Sequence, residues 1–397
     1  MASCKLPPSK KKSGPTTICA LGDDLLREVF LRLPSLPTLV RAALSCPTFL
    51  HAVRSSPAFC RRFCDLHPAP LLGIFLEVYD PAMPAFMPVR RRSDPDHAAV
   101  VRGADVFLTR VPGDEEEDEG EVEYDDGPGW WMTGCRDGYV VLFHMLTQRA
   151  AVYDPLSRGL HLLSAPFQEM CEDPEAAEVE FHVLISEEDR RSFRVIFICT
   201  ERRAPRVAVF SPDSREWQIC PEAGSLQLPA EEKGTLVNGC VYWASAADMH
   251  VLNTATLQFS RIDPPPLMEE QEFKVGETCD AKLCVACADD LMLKVWVRRA
   301  ANWMPDIDKW MLDAISELDL PFTTEENLVL EVVAIIGGIV YLSTYRPSRP
   351  SSCWFLSFCI ETEKLKKVCP ISNCGSFYPY VMAWPPVLVH NKVNSLG

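Results

Sequence analysis

Long apolar runs are missing from this 397-residue sequence: no window approaches the roughly eighteen uninterrupted apolar residues that a membrane-spanning helix needs. The opening MASCKLPPSKKKSGPTTIC likewise holds no apolar stretch that could form the core of a signal peptide. A soluble intracellular protein, cytoplasmic or nuclear, is the expectation. Lys10 to Lys12 are the one nuclear-import hint, and runs this short are common in tails without that role. Basic charge is also scarce: 39 Lys and Arg face 55 Asp and Glu, a formal net charge of −16. Asp114 to Asp126 holds ten acidic residues and no basic one, and without it the net charge is −6. That balance argues against the clustered Lys and Arg of a nucleic-acid footprint, and the acidic run reads as a solvated, self-repelling loop.

Catalytic signatures are missing too. There is no P-loop, H-E-x-x-H or G-x-S-x-G, and Gly127-Pro128-Gly129 lacks the third glycine and the strand-to-helix setting of a dinucleotide site. The eight histidines are scattered, none in a recognisable pairing with a Ser or Cys nucleophile. No residue is nominated as catalytic, no cofactor is called for, and a non-enzyme is the expectation.

Cysteine is plentiful, at 17, but odd in number and spread through strand-like and helix-like stretches, so free buried thiols are expected. Cys279, Cys284 and Cys287 have the C-x4-C-x2-C spacing that begins a ferredoxin pattern, yet they lie in a strand-like stretch and the next cysteine is Cys353. Cys60, Cys64 and His67 could supply three zinc ligands, but no fourth is near and a helix face accounts for them better. Of the tryptophans, Trp243 and Trp296 read as core, Trp303 and Trp310 as core or recognition face, and Trp130 and Trp131 as evenly balanced between core and binding.

The N-terminal part is patterned for helices. Leu25, Leu26, Val29, Phe30 and Leu33 share one helical face, with Asp23 and Asp24 at the start, where carboxylates can accept backbone N–H bonds, and Pro34 as the stop. A second helix begins near Pro37 and ends at Pro47. A third runs from about Thr48 to Arg54, and Ser56-Pro57 opens a fourth with an N-cap and a proline at its first position. A unit this small makes a marginal core, so its apolar faces point to a partner or to the domain that follows.

Leu21 to Phe63, LGDDLLREVFLRLPSLPTLVRAALSCPTFLHAVRSSPAFCRRF, resembles an F-box in the order and spacing of its Asp-Asp-Leu-Leu, Arg-Leu-Pro and Ser-Pro-x-Phe elements. Gly22 stands where the family prefers proline, and Phe49 where it prefers tryptophan. The resemblance implies that Leu21, Leu25, Leu26, Val29, Phe30, Leu33, Pro34, Leu39 and Phe49 contact the Skp adaptor of a cullin-RING ubiquitin ligase or support the helices that do.

From Leu71 onward, short apolar runs alternate with turns. Asp137-Gly138, Asn238-Gly239 and Gly337-Gly338 each precede a β-rich run and suit hairpin turns with positive φ at both centres. A second signal, two apolar residues, a polar one, then Ser or Thr three positions on, appears at Val152 to Ser157, Val209 to Ser214 and Val251 to Thr256, with a looser copy ending at Thr362. Together they fit an uneven repeat of about fifty residues, which favours a β-propeller over a pair of β-sandwiches. VNGCVYWASAADMHVLNTATLQFSRID, LKVWV and YPYVMAWPPVLV resemble the F-box-associated β-propeller of plant F-box families.

The expected organisation is a basic tail over 1–19, a small all-α F-box over 20–65 and a large all-β propeller over 70–390, with the acidic loop at 113–129. By that resemblance the chain is the substrate receptor of a Skp–cullin–F-box ligase, holding a target protein on its β domain. An interaction module without ubiquitin output and a ligand-binding propeller are the alternatives.

Overall fold

The computed structural model describes residues 18, 21–77, 83–89, 94–113, 129–173, 177–186, 192–202, 204–220, 226–229, 233–245, 247–266, 272–289, 291–301, 304–318, 328–345, 353–371 and 375–389. The acidic run at 114–126, Lys10 to Lys12, Gly127-Pro128 and Trp303 lie outside them. The chain divides into two units, 1–67 with 387–397, and 68–386.

The described residues of the first unit form four short α-helices: α1 (Asp23–Phe30), α2 (Leu36–Leu44), α3 (Pro47–Arg54) and α4 (Pro57–Leu66). Three helix boundaries differ from the sequence expectation. Asp23 and Asp24 do not cap α1, whose N-cap is Gly22 with no side-chain bond; the carboxylates instead face Arg27, at 3.4 and 2.9 Å. The helix ends at Phe30, before Pro34, because Leu31 to Ser35 turn the chain toward α2. Pro47 opens α3 as its first residue, a position that needs no N–H, instead of closing α2. Ser56 caps α4 as its sequence indicates, its Oγ accepting from Phe59 N at 3.2 Å.

Among its described residues the second unit is all-β apart from α5 (Pro95–Gly103) and the single turn α6 (Phe167–Met170). β1 (Leu71–Glu77) and β2 (Ala85–Pro88) come first, but they complete a sheet with the last strand, β23 (Ser376–Val381), in the order β2-β1-β23. Between them, four-stranded antiparallel meanders succeed one another. The first is β3 (Trp130–Arg136), β4 (Tyr139–His144), β5 (Arg149–Asp154) and β6 (Gly159–Ser164); the second is β7 (Ala177–Ile185), β8 (Phe193–Glu201), β9 (Ala204–Ser211) and β10 (Glu216–Ile219). The third is β11 (Thr235–Val237), β12 (Cys240–Ala244), β13 (Met249–Asn253) and β14 (Gln258–Ile262).

The fourth, β15 (Phe273–Glu277), β16 (Leu283–Asp289), β17 (Met292–Ala301) and β18 (Met304–Glu317), joins the fifth, β19 (Val329–Ile336), β20 (Ile339–Tyr345), β21 (Cys353–Cys359) and β22 (Lys364–Ile371). The join is a parallel pairing of their first strands at Gly276 and Ile335. Counting that doubled sheet as two, the described residues form six blades of a β-propeller; the first strand lies innermost in blades one to five, and β23 does so in the sixth, which is built from both ends of the unit.

Both turn signals fall where a blade needs them. Asp137-Gly138, Asn238-Gly239 and Gly337-Gly338 join the first and second strands of blades one, three and five, all six residues at φ between 50° and 84°. This is the backbone that a twisted two-residue hairpin demands. The second signal joins third to fourth strands. Asp154 Oδ1 accepts from Leu156 N and Ser157 N, and Asn253 Oδ1 from Ala255 N and Thr256 N, so each polar side chain closes its own turn.

Buried cores lie between neighbouring blades. Phe143, Phe167, Phe181 and Phe197 fill the space between blades one and two, and Ile196, Ile198, Leu236 and Trp243 that between two and three. Where strands approach most closely, a side chain cannot fit. A Cβ on Gly276 would lie 2.4 Å from both the Cβ and the carbonyl oxygen of Ile335. Gly276→Ala is therefore expected to push blades four and five apart at a cost of about 1–3 kcal/mol, read in a urea titration as a lower midpoint; an unchanged midpoint would show that the join carries no such strain.

Candidate functional site

Two surfaces stand out, one in each unit. In the helical unit, Leu26, Phe30, Leu39, Ala43, Val53, Phe59 and Phe63 form the core. Phe49 sets its ring edge-on to Phe30 at 5.4 Å, and Arg27 Nε ties α1 to α3 through Ala52 O at 2.9 Å. Leu25 and Val29, one turn apart along one edge of α1, remain 59 and 40% exposed, Leu21 just before the helix 36% and Leu44 on α2 53%. Of the nine residues singled out from the sequence, Leu21, Leu25, Val29 and Pro34 are thus exposed, Leu33 and Phe49 half-buried, and Leu26, Phe30 and Leu39 buried beneath them. Gly22 has φ −66° and ψ 157°, a backbone that proline also adopts, so the entry to α1 keeps its direction without the ring.

The second surface is the channel through the propeller. A cavity of about 420 Å³ is lined by the innermost strands of all six blades and the residues leading into them, among them Arg136, His182, Lys233, Lys274, Glu331 and Tyr378. Two contacts cross it between opposite blades. Arg136 of blade one reaches Glu277 of blade four at 2.6 Å, and Lys233, leading into blade three, donates to the phenol oxygen of Tyr378 on blade six at 3.4 Å. Burial disfavours a charge on Arg136, but Glu277 and Asp137 outweigh it and leave its pKa raised. Tyr378 is pushed well above the ordinary phenol range by burial and by Glu77, so its hydroxyl stays neutral; that hydroxyl donates to Met132 O at 2.8 Å, with Glu77 Oε2 3.2 Å away.

Glu180 on β7 organises the wall. It accepts from Gly234 N at 2.7 Å and from Trp243 Nε1 at 2.9 Å, and lies 3.2 Å from His182 Nε2. Neither Glu180 nor the crossing pairs were marked from the sequence, because their partners lie tens to hundreds of residues away. The tryptophans separate as follows: Trp243 and Trp296 are buried as expected, Trp130 is buried with its indole N–H on Pro112 O at 2.7 Å, Trp131 is 63% exposed and Trp310 is half-buried.

The cysteine clusters are dispersed. Cys284 and Cys287 are buried strand residues, burial raising the first thiol and holding the second up near about 11. His67 turns its Nε2 to Leu31 O at 2.8 Å, and among the described residues no group of His, Cys, Asp and Glu is arranged to hold a metal ion. Among those residues no helix is long and apolar enough to cross a membrane.

A six-bladed propeller preceded by a small helical unit defines the class, and a comparison with family models gives the family. The chain belongs to the family described as F-box protein AT5G49610-like, beta-propeller, whose model matches residues 131–388. A comparison with curated proteins returned no match. Among solved structures, a nidogen/laminin complex is similar at 12% identity over 77% of this chain and 96% of that one, with a TM-score of 0.39. TolB from Acinetobacter baumannii is similar at 11% identity over 76% and 87%, TM-score 0.32. A post-proline cleaving enzyme from Rickettsia typhi is similar at 11% identity over 60% of this chain, which spans only 36% of that enzyme, TM-score 0.33. Likenesses at this level carry no functional weight.

Two outcomes follow. Glu180→Ala leaves a buried indole N–H and a backbone N–H without an acceptor, and a loss of about 2–4 kcal/mol in unfolding free energy is expected by urea titration; Glu180→Gln, which keeps one acceptor oxygen, should lose less. In thiol labelling of the native protein at mildly alkaline pH, exposed Cys64 should react well before Cys284 and Cys287. Equal rates would mean that the strands open readily.

Proposed function

We propose that this protein is a substrate receptor of a Skp–cullin–F-box ubiquitin ligase, in which residues 20–65 form an F-box that docks the Skp adaptor and the propeller holds a target protein. One observation supports the reading above others: α1 buries Leu26 and Phe30 while leaving Leu25 and Val29, one residue before each, exposed beside Leu21. An isolated unit gains nothing from exposing that edge, whereas a partner that covers it would bury three large side chains. Membership of an F-box protein propeller family makes the Skp adaptor the natural partner.

The buried residues among the nine would then hold the helices in place, and the exposed ones would make the contact. Phe30 and Phe49 belong to the support, so the phenylalanine at 49 keeps an edge-on ring contact that fixes α1 on α3. No bond-making step is assigned to the chain itself. The ligase would supply a charged ubiquitin, and the receptor would raise the local concentration of a target lysine beside it.

The test is co-purification of the full chain with the Skp adaptor beside a Leu25→Asp, Val29→Asp double variant. Both positions are exposed, so the variant should keep the wild-type circular dichroism spectrum and melting midpoint while adaptor binding falls at least about a hundredfold. Wild-type affinity in a folded variant would move the docking face elsewhere; absence of binding in the wild type would end the reading.

A further inference from the structure

Blade two holds a pair of thiols that adaptor docking does not use. Cys171 follows the single turn α6, which leads from blade one into blade two, and Cys199 lies on β8, the second strand of blade two. Both belong to the apolar core between those blades, at 8 and 0% exposed. Their side chains stand within hydrogen-bond reach of each other. Among the described residues the other buried cysteines are placed differently. Cys284 and Cys287 lie in separate cores, because an odd spacing along β16 points them to opposite faces. Cys353 and Cys369 sit on neighbouring strands but offset in register, the first opposite Ile371 and the second opposite Phe355.

Backbone contacts on both sides of Cys171 aim it at Cys199. Arg206, opposite Cys199 in the register of β8 and β9, donates from Nη1 to Met170 O at 3.1 Å. Glu201, on the same strand as Cys199, accepts from Glu172 N at 3.0 Å. The residues before and after Cys171 are thus each held by a neighbour of Cys199, while Cys171 N itself donates to Phe167 O at 2.9 Å. The two thiols differ in access. Cys171 adjoins exposed Glu172 and Asp173, whereas Cys199 is closed off. Burial above all, then Cys171 and Glu201, push the Cys199 thiol up to about 12, with Arg206 pulling the other way. Cys199 therefore stays neutral and away from solvent, and a small oxidant reaches Cys171 first.

We infer that Cys171 and Cys199 are a redox site, joined by a reversible disulfide when the protein meets a peroxide, and that this bond fastens α6 to β8. In the first step Cys171 Sγ attacks hydrogen peroxide and the O–O bond breaks; one oxygen stays on sulfur as a sulfenic acid and the other leaves as water. Cys199 Sγ then attacks Cys171 Sγ, the S–O bond breaks, and hydroxide leaves with the Cys199 proton as a second water. The two thiols together lose two electrons and the peroxide gains them. A thiol reductant reverses the bond by exchange. Closing the chain between 171 and 199 into a loop removes freedom from the unfolded chain and so favours the folded blade. Both cysteines lie within 68–386, so the inference stands independently of whether the helical unit binds an adaptor.

The test treats the reduced full chain with hydrogen peroxide, quenches it, alkylates the remaining thiols in urea, and weighs the tryptic peptides without reduction. Cleavage after Arg194 and Arg202 leaves Cys199 as the only cysteine of its peptide. The expected product is that peptide joined to the one carrying Cys171, in greater yield than any other cysteine pair and released by dithiothreitol. The oxidised protein should also unfold at a higher urea concentration than the reduced one, a rise that dithiothreitol removes and that folded Cys171→Ser and Cys199→Ser variants lack. The linked peptide is read on the unmutated chain, so the test survives a variant that does not fold. The inference is overturned if exposed Cys64 is fully oxidised while Cys171 and Cys199 are still recovered as thiols. It is equally overturned if either joins another cysteine in preference, or if the joined protein unfolds at the same or a lower urea concentration.

Discussion

Everything in the propeller depends on one antiparallel pairing, that of β23 with β1. From Leu71 opposite Val381 to Glu77 opposite Ser376, it joins the two ends of a unit more than three hundred residues long. Consecutive blades share little backbone bonding among the described residues: of the innermost strands there, only β15 and β19 meet in a ladder, and at one residue pair. The ring is thus closed by a single sheet of mixed origin and held elsewhere by side chains. Without the β23 pairing, β1 and β2 would be a lone hairpin, which is marginal in water.

Because side chains do the joining, polar braces recur beside the apolar cores. Trp217 on β10 donates to Ser164 O at the end of β6 at 2.7 Å, and Trp310 on β18 donates to Asp263 O just past β14 at 2.8 Å. β10 and β18 are thereby tied to the outermost strands of the blades before them. Nearer the axis, Asn238 Nδ2 reaches Ala281 O at 2.5 Å and Gly338 N reaches Glu277 O at 2.9 Å, hairpin turn to neighbouring blade. Glu277 accordingly serves twice, in the join of blades four and five and in the bolt across the channel.

The two units display opposite chemistry. The helical one exposes an apolar edge, while the channel of the other gathers lysines, hydroxyls and bridged charges. Arg27 shows how the first remains stable while exposing leucine. It gathers Asp23, Asp24, Ala52 O and Ser55 Oγ, so α1 is anchored by polar bonds on the flank away from its exposed leucine. The exposed edge can therefore change without removing the core beneath it.

Local signals were legible in the sequence wherever one short segment decides its own backbone. Asn-Gly and Asp-Gly announced hairpins because few other residues take positive φ twice in succession, and Asp154 and Asn253 announced turns because each side chain bonds the next residues. The same rules left blades two and four faint: β15 turns into β16 through Thr278 to Lys282, with Ala281 at positive φ, a loop that no glycine pair marks. Asp94-Pro95, which caps and opens α5, was a readable start that the surrounding strand texture concealed.

Sequence by itself determined the division into helical and β-rich parts, the hairpins, and which apolar residues a helix would align. Only the tertiary structure decided that Leu26 faces inward and Leu25 outward, that the two ends of the β unit make one blade, and that Arg136 meets Glu277 and Lys233 meets Tyr378 across the channel. The physical reason is range: turn and helix geometry is set by residues within one or two turns of chain, whereas burial and cross-channel pairing arise only when the ring closes and brings residues 141 and 145 positions apart within hydrogen-bond reach.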